Sequence, residues 1–267
     1  MAVDLNGARV LLTGASGGIG NAIAQALHQR GASLAITGRR VEALETLKSE
    51  LGERVEVLVA DLCKSEDVEG LPARAGRVDL LVANAGLPGS GDLASFSPEQ
   101  IDRAIDVNLR APMQLTRALL PGMLERRSGH IVFVSSLAGK VPAAGSTVYS
   151  ATKFGLRGFG DSLHDELHGT GVGATTVFPG FISDAGMFAD SGVKLPPGVG
   201  TKPPEKVADA VIEGIEKGRA EIDVAPLAVR ATGKLAGLAP GAVTAVNRRF
   251  GGRDVSDGLA AAQQEKR

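Results

Sequence analysis

Tyr149 and Lys153 lie four residues apart in the segment Tyr149-Ser150-Ala151-Thr152-Lys153, which opens a long predicted helix. This spacing places the phenol and the ammonium group on one face of the helix. A free phenol has a pKa of about 10, and a cation beside it favours the phenolate, which brings the group closer to the range useful in acid and base catalysis. Tyr149 is the only tyrosine of the chain. The pair predicts proton transfer, although in isolation Tyr149 would also suit the core of an amphipathic helix.

A glycine-rich turn near the N-terminus predicts a site for a phosphate group. It follows a short apolar run and precedes a helical pattern over residues 21–30. Backbone N–H groups at the start of such a helix face an anion, and the missing Cβ atoms allow a pyrophosphate to come close. The glycine spacing fits both G-x-x-x-G-x-G and G-x-x-G-x-x-G, so other residues must decide the class of protein. The residues of the turn predicted to bind a dinucleotide are Gly14, Ser16, Gly17, Gly18, Ile19 and Gly20.

Arg39 indicates which dinucleotide is bound. An acidic residue that binds the ribose 2′-hydroxyl of NAD is expected after the second strand, but the sequence there reads Thr37-Gly38-Arg39-Arg40. A guanidinium can pair with the 2′-phosphate of NADP, which a carboxylate would oppose. We therefore predict a preference for NADP(H), with NAD(H) as an alternative cofactor. The competing interpretation is that Arg39 and Arg40 only form the solvated start of the next helix.

Short apolar runs alternate with amphipathic, alanine-rich segments, and this alternation defines the elements that position the candidate residues. Parallel strands need such helical crossovers, so the predicted fold class is α/β, a Rossmann-type doubly wound parallel sheet of about seven strands with helices on both faces. Ligands bind to these sheets beyond the carboxyl ends of the strands, where Asp61-Leu62, Asn84-Ala85-Gly86 and Ser135-Ser136 stand here. The predicted strands are Arg9–Thr13, Ser33–Thr37, Val55–Ala60, Asp79–Ala83, His130–Ser135, Gly173–Phe178 and Glu221–Val224.

With these motifs the chain resembles the short-chain dehydrogenase/reductase family over residues 7–224. The segments TGASGGIG, NAG, a later asparagine, SS and YSATK occur in the order and spacing of that family. The resemblance implies that Tyr149 donates or accepts a proton and that Lys153 binds the nicotinamide ribose and lowers the tyrosine pKa. It also implies that Ser136, rather than its neighbour Ser135, hydrogen-bonds the carbonyl oxygen of the substrate.

Other residues take their expected roles from the same resemblance. Asn108 resembles the asparagine that holds a water molecule in the proton relay, and Asp61 resembles the residue that contacts the adenine. Where the family often has a threonine that contacts the carboxamide, this chain has Ser183-Asp184. The further residues expected to bind the cofactor are Leu62, Asn84, Ala85, Gly86, Pro179, Gly180 and Ile182.

The length of 267 residues and the NAG motif favour the small single-domain branch over the longer epimerase-like branch. The enoyl reductase variant has lysine seven positions after tyrosine, and Leu156 stands there. We therefore expect residues 1–267 to form one dinucleotide-binding domain. Residues 181–203 are predicted to be a substrate lid, because long loops in compact domains are usually functional. Residues 225–267 are predicted to be a helical extension that packs over the substrate side or at a subunit interface rather than on a membrane.

Composition excludes several classes of function. Lys and Arg number 29 against 30 Asp and Glu, a net charge of 29 − 30 = −1, so no basic face for nucleic acid is expected. The single cysteine, Cys63, fits a reducing compartment, and neither a signal peptide nor a transmembrane segment is evident, so we predict a cytoplasmic protein. His164 and His168 have the i, i+4 spacing of zinc ligands, but no third ligand is evident and no metal is predicted.

These features predict an NADP-preferring oxidoreductase that transfers a hydride between nicotinamide and a carbonyl or alcohol, with Tyr149 as the general acid and base. The alternative is a catalytically idle dinucleotide-binding regulator. The family implies a homodimer or homotetramer, with residues 109–125 and 149–168 at an interface. The substrate is expected to be a small apolar molecule. The lid residues behind this expectation are Met187, Phe188, Val193 and Leu195.

Overall fold

The computed structural model describes residues 3–195, 199–238, 241 and 252–264. Its strands are β1 (Arg9–Thr13), β2 (Ser33–Gly38), β3 (Val55–Val59), β4 (Leu80–Ala83), β5 (Gly129–Val134), β6 (Val172–Pro179) and β7 (Glu221–Val224). They form a seven-stranded parallel sheet in the order β3-β2-β1-β4-β5-β6-β7. The predicted doubly wound α/β fold is confirmed, including its short seventh strand.

Each crossover between consecutive strands contains at least one helix. The first helix begins at Gly18, earlier than the predicted Asn21, because the carbonyl of Gly17 accepts the first helical hydrogen bond from the Asn21 N–H. In the part of the chain that the structure describes, no helix has the length and apolar character needed to cross a membrane. The helices are α1 (Gly18–Gln29), α2 (Val41–Leu51), α3 (Ser65–Ala75), α4 (Pro98–Ile105), α5 (Ala111–Arg126), α6 (Thr147–Glu166), α7 (Gly186–Ala189), α8 (Pro204–Lys217), α9 (Leu227–Leu238) and α10 (Gly252–Gln263).

Two apolar layers bury the sheet from opposite sides. One layer packs under α1, α2 and α8 and includes the fully buried Ile23, Leu27 and Val211. The other packs under α3, α5 and α6 and includes Leu71 and Met123. Every residue of β5 is buried, as expected for a strand that helices cover on both sides. The core therefore holds the carboxyl ends of the strands in fixed positions along one edge of the sheet.

The chain changes direction at the centre of this edge. From β1 it continues outward to β2 and β3, and from the neighbouring β4 it continues the other way to β5, β6 and β7. Ligands of open α/β sheets bind in the crevice at such a switch point. The glycine-rich turn after β1 and residues 84–86 after β4 border this crevice.

His130 in β5 is buried, and its hydrogen-bond partners determine which ring nitrogen carries the proton. Its Nε2 lies 2.8 Å from the hydroxyl of Thr175, and that hydroxyl donates to the carbonyl of Arg219. The Thr175 oxygen must therefore accept from His130, which requires the proton on Nε2. Burial lowers the pKa of His130 to about 4, and the nearby His164 acts in the same direction.

We expect this histidine to make the fold less stable as the pH falls from about 6.5 towards 4. The unfolded imidazole has a pKa of about 6.5, so below that pH the unfolded chain binds a proton that the folded chain does not. The full effect is about 3 kcal/mol in the free energy of unfolding. Urea unfolding at pH 7 and pH 4.5 measures it. His130→Gln should remove most of this decrease in the free energy of unfolding. His168→Gln, at an exposed histidine, is the control and should leave the decrease unchanged. An equal decrease in both variants would contradict the assignment to His130.

Candidate active site

A cavity of about 940 Å³ opens at the carboxyl ends of β4, β5 and β6. Ser136, Tyr149 and Lys153 form its polar side, and apolar side chains form most of the remainder. Many of the predicted site residues meet in this cavity, although they are far apart in the sequence. Those that line it are Ile19, Asn84, Gly86, Ser136, Tyr149, Lys153, Pro179, Gly180 and Ile182.

The glycine-rich turn forms a cradle at the N-terminus of α1. Gly14 has a φ of +67°, and a Cβ built on it would lie 2.7 Å from the Cα of Ala85. A Cβ on Gly20 would lie 2.2 Å from the carbonyl oxygen of Gly14, so neither position accepts a side chain. No side chain caps the N-terminus of α1, and its first turn contains no acidic residue. The cradle and the N–H groups of this turn therefore fit the pyrophosphate of a dinucleotide.

Thr13 and Asn84 hold the cradle against the end of β4. The Thr13 hydroxyl accepts from the N–H groups of Asn84 and Ala85, both at 3.0 Å. The Asn84 amide donates in return to the carbonyls of Thr13 and Gly14, at 3.0 and 3.2 Å. Asn84 thus shapes the turn as well as lining the cavity. Thr13 was not predicted; the available signal was a polar residue at the end of an apolar strand, directly before the glycines.

Arg39 and Arg40 follow β2 and have different environments. Arg40 is exposed at the N-cap of α2, as the interpretation of a solvated helix start expects, and it also donates a hydrogen bond to the carbonyl of Ser16 in the glycine-rich turn. Arg39 is exposed and forms no hydrogen bond or ion pair with the other described residues. Its guanidinium is therefore available to a ligand that lies along this edge of the sheet.

Asp61 and Leu62 follow β3 and do not line the main cavity. Asp61 shapes the turn before α3: its Oδ1 accepts from the Cys63 N–H at 3.1 Å, and its own N–H donates to Asp67 Oδ2 at 2.7 Å. Leu62 is buried. Both residues lie at the carboxyl end of β3, the strand next to β2, and so on the same side of the crevice as Arg39. This position suits the end of an extended dinucleotide that lies far from the reacting atoms.

Burial sets the protonation of Tyr149 and Lys153. Lys153 is 2% exposed, its Nζ donates to the Val134 carbonyl at 3.1 Å, and burial lowers its pKa to about 8. The same Nζ lies 5.6 Å from the centre of the Tyr149 ring. Burial raises the pKa of Tyr149, while the Ser136 hydroxyl acts in the opposite direction. The pKa of Tyr149 thus lies above its ordinary value in this structure, and its lowering by Lys153 stays a prediction.

The two neighbouring serines after β5 form different hydrogen bonds. Ser135 is buried, and its hydroxyl donates to the carbonyl of Lys153 at 3.2 Å, so it anchors α6. Ser136 begins the short 3₁₀ turn Leu137–Gly139, and its hydroxyl accepts from the Ala138 N–H while it also interacts with the Tyr149 phenol. This arrangement supports the choice of Ser136 as the residue that faces a substrate.

Lys140 fixes the loop that carries Ser136. Its ammonium forms ion pairs with Glu221 at 2.9 Å and Asp223 at 2.6 Å, and lies 3.9 Å from the centre of the Phe178 ring. Because Lys140 is buried, these partners bind the loop firmly to the edge strand β7. The sequence contained no signal for this pairing, since the partners lie about 80 residues apart.

Asn108 lies in a π-helical turn, Asp106–Arg110, between α4 and α5. Its amide donates to the carbonyl of Leu87 and to the hydroxyl of Thr152, and its Oδ1 accepts from the Leu87 N–H. Both amide hydrogens are thus used, and Asn108 can bind a water only as an acceptor. Pro112 lacks a backbone N–H, so it cannot donate the usual helical hydrogen bond to the backbone carbonyl of Asn108, four residues earlier. Turns of this kind often occur at functional sites.

The remaining walls of the cavity come from the segments that follow β4 and β5 and, for the larger part, from those that follow β6. Residues 181–203 contribute apolar side chains, and the described helices of the C-terminal region, α9 and α10, contribute more. Both helices therefore line the same cavity as Tyr149 and Lys153, and the packing of this region over a substrate stays a prediction. Ser183 does not line the cavity; its N–H donates to the Lys202 carbonyl. The lining residues not predicted from sequence include Phe181, Ala228, Val229, Val255, Leu259 and Gln263.

Of the two histidines with the spacing of zinc ligands, His164 lies on α6 and His168 lies in the turn that follows the helix. His164 Nδ1 lies 2.7 Å from the carbonyl oxygen of Ala174, and His168 is exposed. Among the described residues, no group of three His, Cys, Asp or Glu side chains could hold a metal ion.

Comparison with known proteins agrees with this geometry. A family model described as short chain dehydrogenase matches residues 8–194. Ketoacyl reductase HetN of Nostoc sp. strain PCC 7120 is 39% identical over 228 residues, which cover 82% of this chain and 79% of that protein. NADP-dependent 3-hydroxy acid dehydrogenase YdfG of Escherichia coli K12 is 41% identical over 178 residues, or 65% and 72% of the two chains. The closed form of serine dehydrogenase complexed with NADP+ matches with a TM-score of 0.72 and 33% identity, over 82% of this chain and 95% of that one. The chain belongs to the short-chain dehydrogenase/reductase family.

Proposed function

We propose that this protein is an NADP-preferring oxidoreductase that interconverts a neutral, apolar carbonyl compound and its alcohol. The observation that carries the proposal is the meeting of Ser136, Tyr149 and Lys153 in one cavity beside the glycine-lined cradle. The relatives described above are named as a reductase and dehydrogenases, which agrees with this reaction class. The alternative, an idle dinucleotide-binding regulator, gains no support from them.

The preference for NADP rests on Arg39. Its guanidinium has no partner among the described residues and stands where a 2′-phosphate would need a cation. The names of the Escherichia coli relative and of the solved serine dehydrogenase complex both include NADP. When bound, the nicotinamide supplies or accepts the hydride. The residues proposed to hold the dinucleotide are Gly14, Ser16, Gly17, Gly18, Ile19, Gly20, Arg39, Asp61, Leu62, Asn84, Ala85, Gly86, Tyr149, Lys153, Pro179, Gly180 and Ile182.

In the direction of reduction, Tyr149 donates its proton to the carbonyl oxygen as that oxygen gains negative charge. The raised pKa keeps the phenol protonated near neutral pH, which suits a proton donor. The Ser136 hydroxyl donates a hydrogen bond to the same oxygen and stabilises its developing charge. Tyr149 then recovers a proton through the Lys153 ammonium and a water molecule. We propose that this water donates a hydrogen bond to the backbone carbonyl of Asn108. In the direction of oxidation the same groups carry the proton the other way.

The cavity favours a neutral substrate over a free acid. Lys153 is the only charged side chain among the described residues that line it, and its Nζ is already bonded to the Val134 carbonyl. A buried carboxylate without a cationic partner would pay a large desolvation cost. We therefore infer a ketone or aldehyde with an apolar body that lies against Val229, Leu259 and the lid.

We further infer a homodimer or homotetramer that forms through α5 and α6. These helices expose Met113, Leu124 and Phe154, which are 39%, 37% and 38% accessible in the single chain. All three lie inside the predicted interface segments, and exposed apolar groups of this kind are typical of interfaces. Cytoplasmic location stays a prediction, which rests on the single unpaired Cys63.

Arg39→Ser should weaken NADPH binding by about 10- to 100-fold, because one charge-assisted contact with the 2′-phosphate is lost. NADH binding should change by less than about threefold, since NADH carries no such phosphate. Fluorescence titration measures both, and the chain contains no tryptophan to add background. Arg40→Ala provides the comparison: it should weaken both cofactors alike, because Arg40 supports the glycine-rich turn. Equal losses with Arg39→Ser would contradict the NADP assignment.

Tyr149→Phe should reduce turnover of a neutral apolar ketone with NADPH by at least about 100-fold, since it removes the proton donor. NADPH affinity should remain within about threefold of the wild type. Steady-state rates on a panel of apolar ketones and free 3-hydroxy acids measure both the reaction and its substrate preference. Full turnover by the variant would disprove the mechanism, and faster turnover of the hydroxy acids would disprove the substrate class. A wild type that binds NADPH but reduces nothing would favour the idle regulator.

Phe154→Glu should shift the protein to a smaller species, because it places a charge in the proposed apolar interface. Size-exclusion chromatography with light scattering measures the mass. Val41→Glu is the matched control: Val41 is also exposed but lies on α2, outside the interface segments. A wild type that is monomeric at all concentrations would refute the oligomer.

A further inference from the structure

Helix α10 lies outside the segment that the family model matches, yet it forms part of the cavity wall. Val255 and Leu259 line the cavity. Gly258 faces Val193 of the predicted lid: a Cβ on the glycine would lie 2.9 Å from Cγ2 of Val193, so the glycine allows the helix to pack closely against this part of the lid. The same helix therefore contacts both the substrate space and the segment that covers it.

Gln263, at the end of α10, joins the helix to the lid by a hydrogen bond. Its Nε2 donates to the carbonyl of Met187 at 3.0 Å, and the residue is only 4% exposed. Its Oε1 is buried without a hydrogen-bond partner among the described residues. A buried amide with an unused acceptor is less favourable than an apolar side chain of similar shape. Among the described residues, the hydrogen bond to Met187 is therefore the polar contact that this amide makes.

Met187 connects this hydrogen bond to the reaction centre. Its methyl group and the Nζ of Lys153 both lie close to Gly86, at 3.8 and 3.7 Å from the position of a Cβ built there. Two residues earlier, Ala185 covers the cradle, since a Cβ on Gly18 would lie 2.2 Å from the Cβ of Ala185. The position of the Met187 backbone therefore determines how the lid covers both the cradle and the catalytic lysine.

We propose that Gln263 is a positioning residue that holds the Met187 backbone and so keeps the lid over the reacting end of the cavity. It acts through Met187 and does not touch the reacting atoms. By fixing α10 against the lid, it encloses the apolar part of the substrate between them. This role in substrate retention rests on the proposed function, whereas the hydrogen bond to the lid does not.

Gln263→Met tests the proposal, because methionine keeps the length and the packing but cannot donate. Hydrogen exchange in the free protein should be at least about fivefold faster at the amides of residues 186–192, since the lid opens more often. The KM for a neutral apolar ketone should rise about tenfold, the order expected for one lost hydrogen bond, while kcat stays within about twofold. The Tm should stay the same or rise, because an unpaired buried oxygen is removed. Gln264→Met is the matched control at an exposed neighbour and should change none of these values.

Three results would overturn the proposal or one part of it. Unchanged exchange in the lid would show that Gln263 does not hold it, and a lower Tm with equal loss of kcat and kcat/KM would assign the residue to fold stability. Faster exchange with an unchanged KM would overturn the role in substrate retention. The exchange experiment needs no turnover and therefore tests the hydrogen bond between Gln263 and the lid by itself. A wild type that reduces no ketone would count against the proposed function only.

Discussion

The site depends on one close contact between two pieces of backbone, the glycine-rich turn after β1 and the segment after β4. Gly14 lies against Ala85 so tightly that a Cβ would collide with the Cα, and Thr13 and Asn84 exchange hydrogen bonds across the same junction. This contact forms the cradle at the N-terminus of α1. It also places residues 84–86 beside Lys153, because β4 is the neighbour of both β1 and β5. The dinucleotide site and the proton-transfer site therefore share one junction.

Burial is the second constraint, and it decides how the reacting groups are protonated. An ammonium and a phenol that are withdrawn from water both shift towards their neutral forms, so the pKa of Lys153 falls and that of Tyr149 rises. A protonated phenol beside a lysine that loses its proton near pH 8 is arranged to deliver and then recover a proton. Ser135 and Ser136 complete this centre by separate means, one anchoring α6 and the other facing the phenol.

The wall opposite the motif residues has a different origin. It is built from the segment predicted to be a lid, α9 and α10, and its side chains are mostly apolar and lack a common spacing. The motif side of the cavity carries the groups that we propose to act on the carbonyl, whereas this wall would face the rest of the proposed substrate. Part of this wall, helices α9 and α10, lies beyond the family match, which ends at residue 194, and we expect these helices to contribute to substrate preference.

The sequence by itself determined the fold class and the approximate positions of the strands, and it named the residues that we propose for the reaction centre. Buried parallel strands leave continuous apolar runs, and the chemistry of Tyr149 and Lys153 requires a fixed spacing within one helix, so both can be read locally. Only the tertiary structure decided the partner of Arg40, the ion pairs of Lys140, the direction of the Tyr149 pKa and the contact of Gln263 with the lid. Each of these depends on distances between residues far apart in the chain, or on how much water is excluded around a group. Packing sets both quantities, and no local pattern of residues records them.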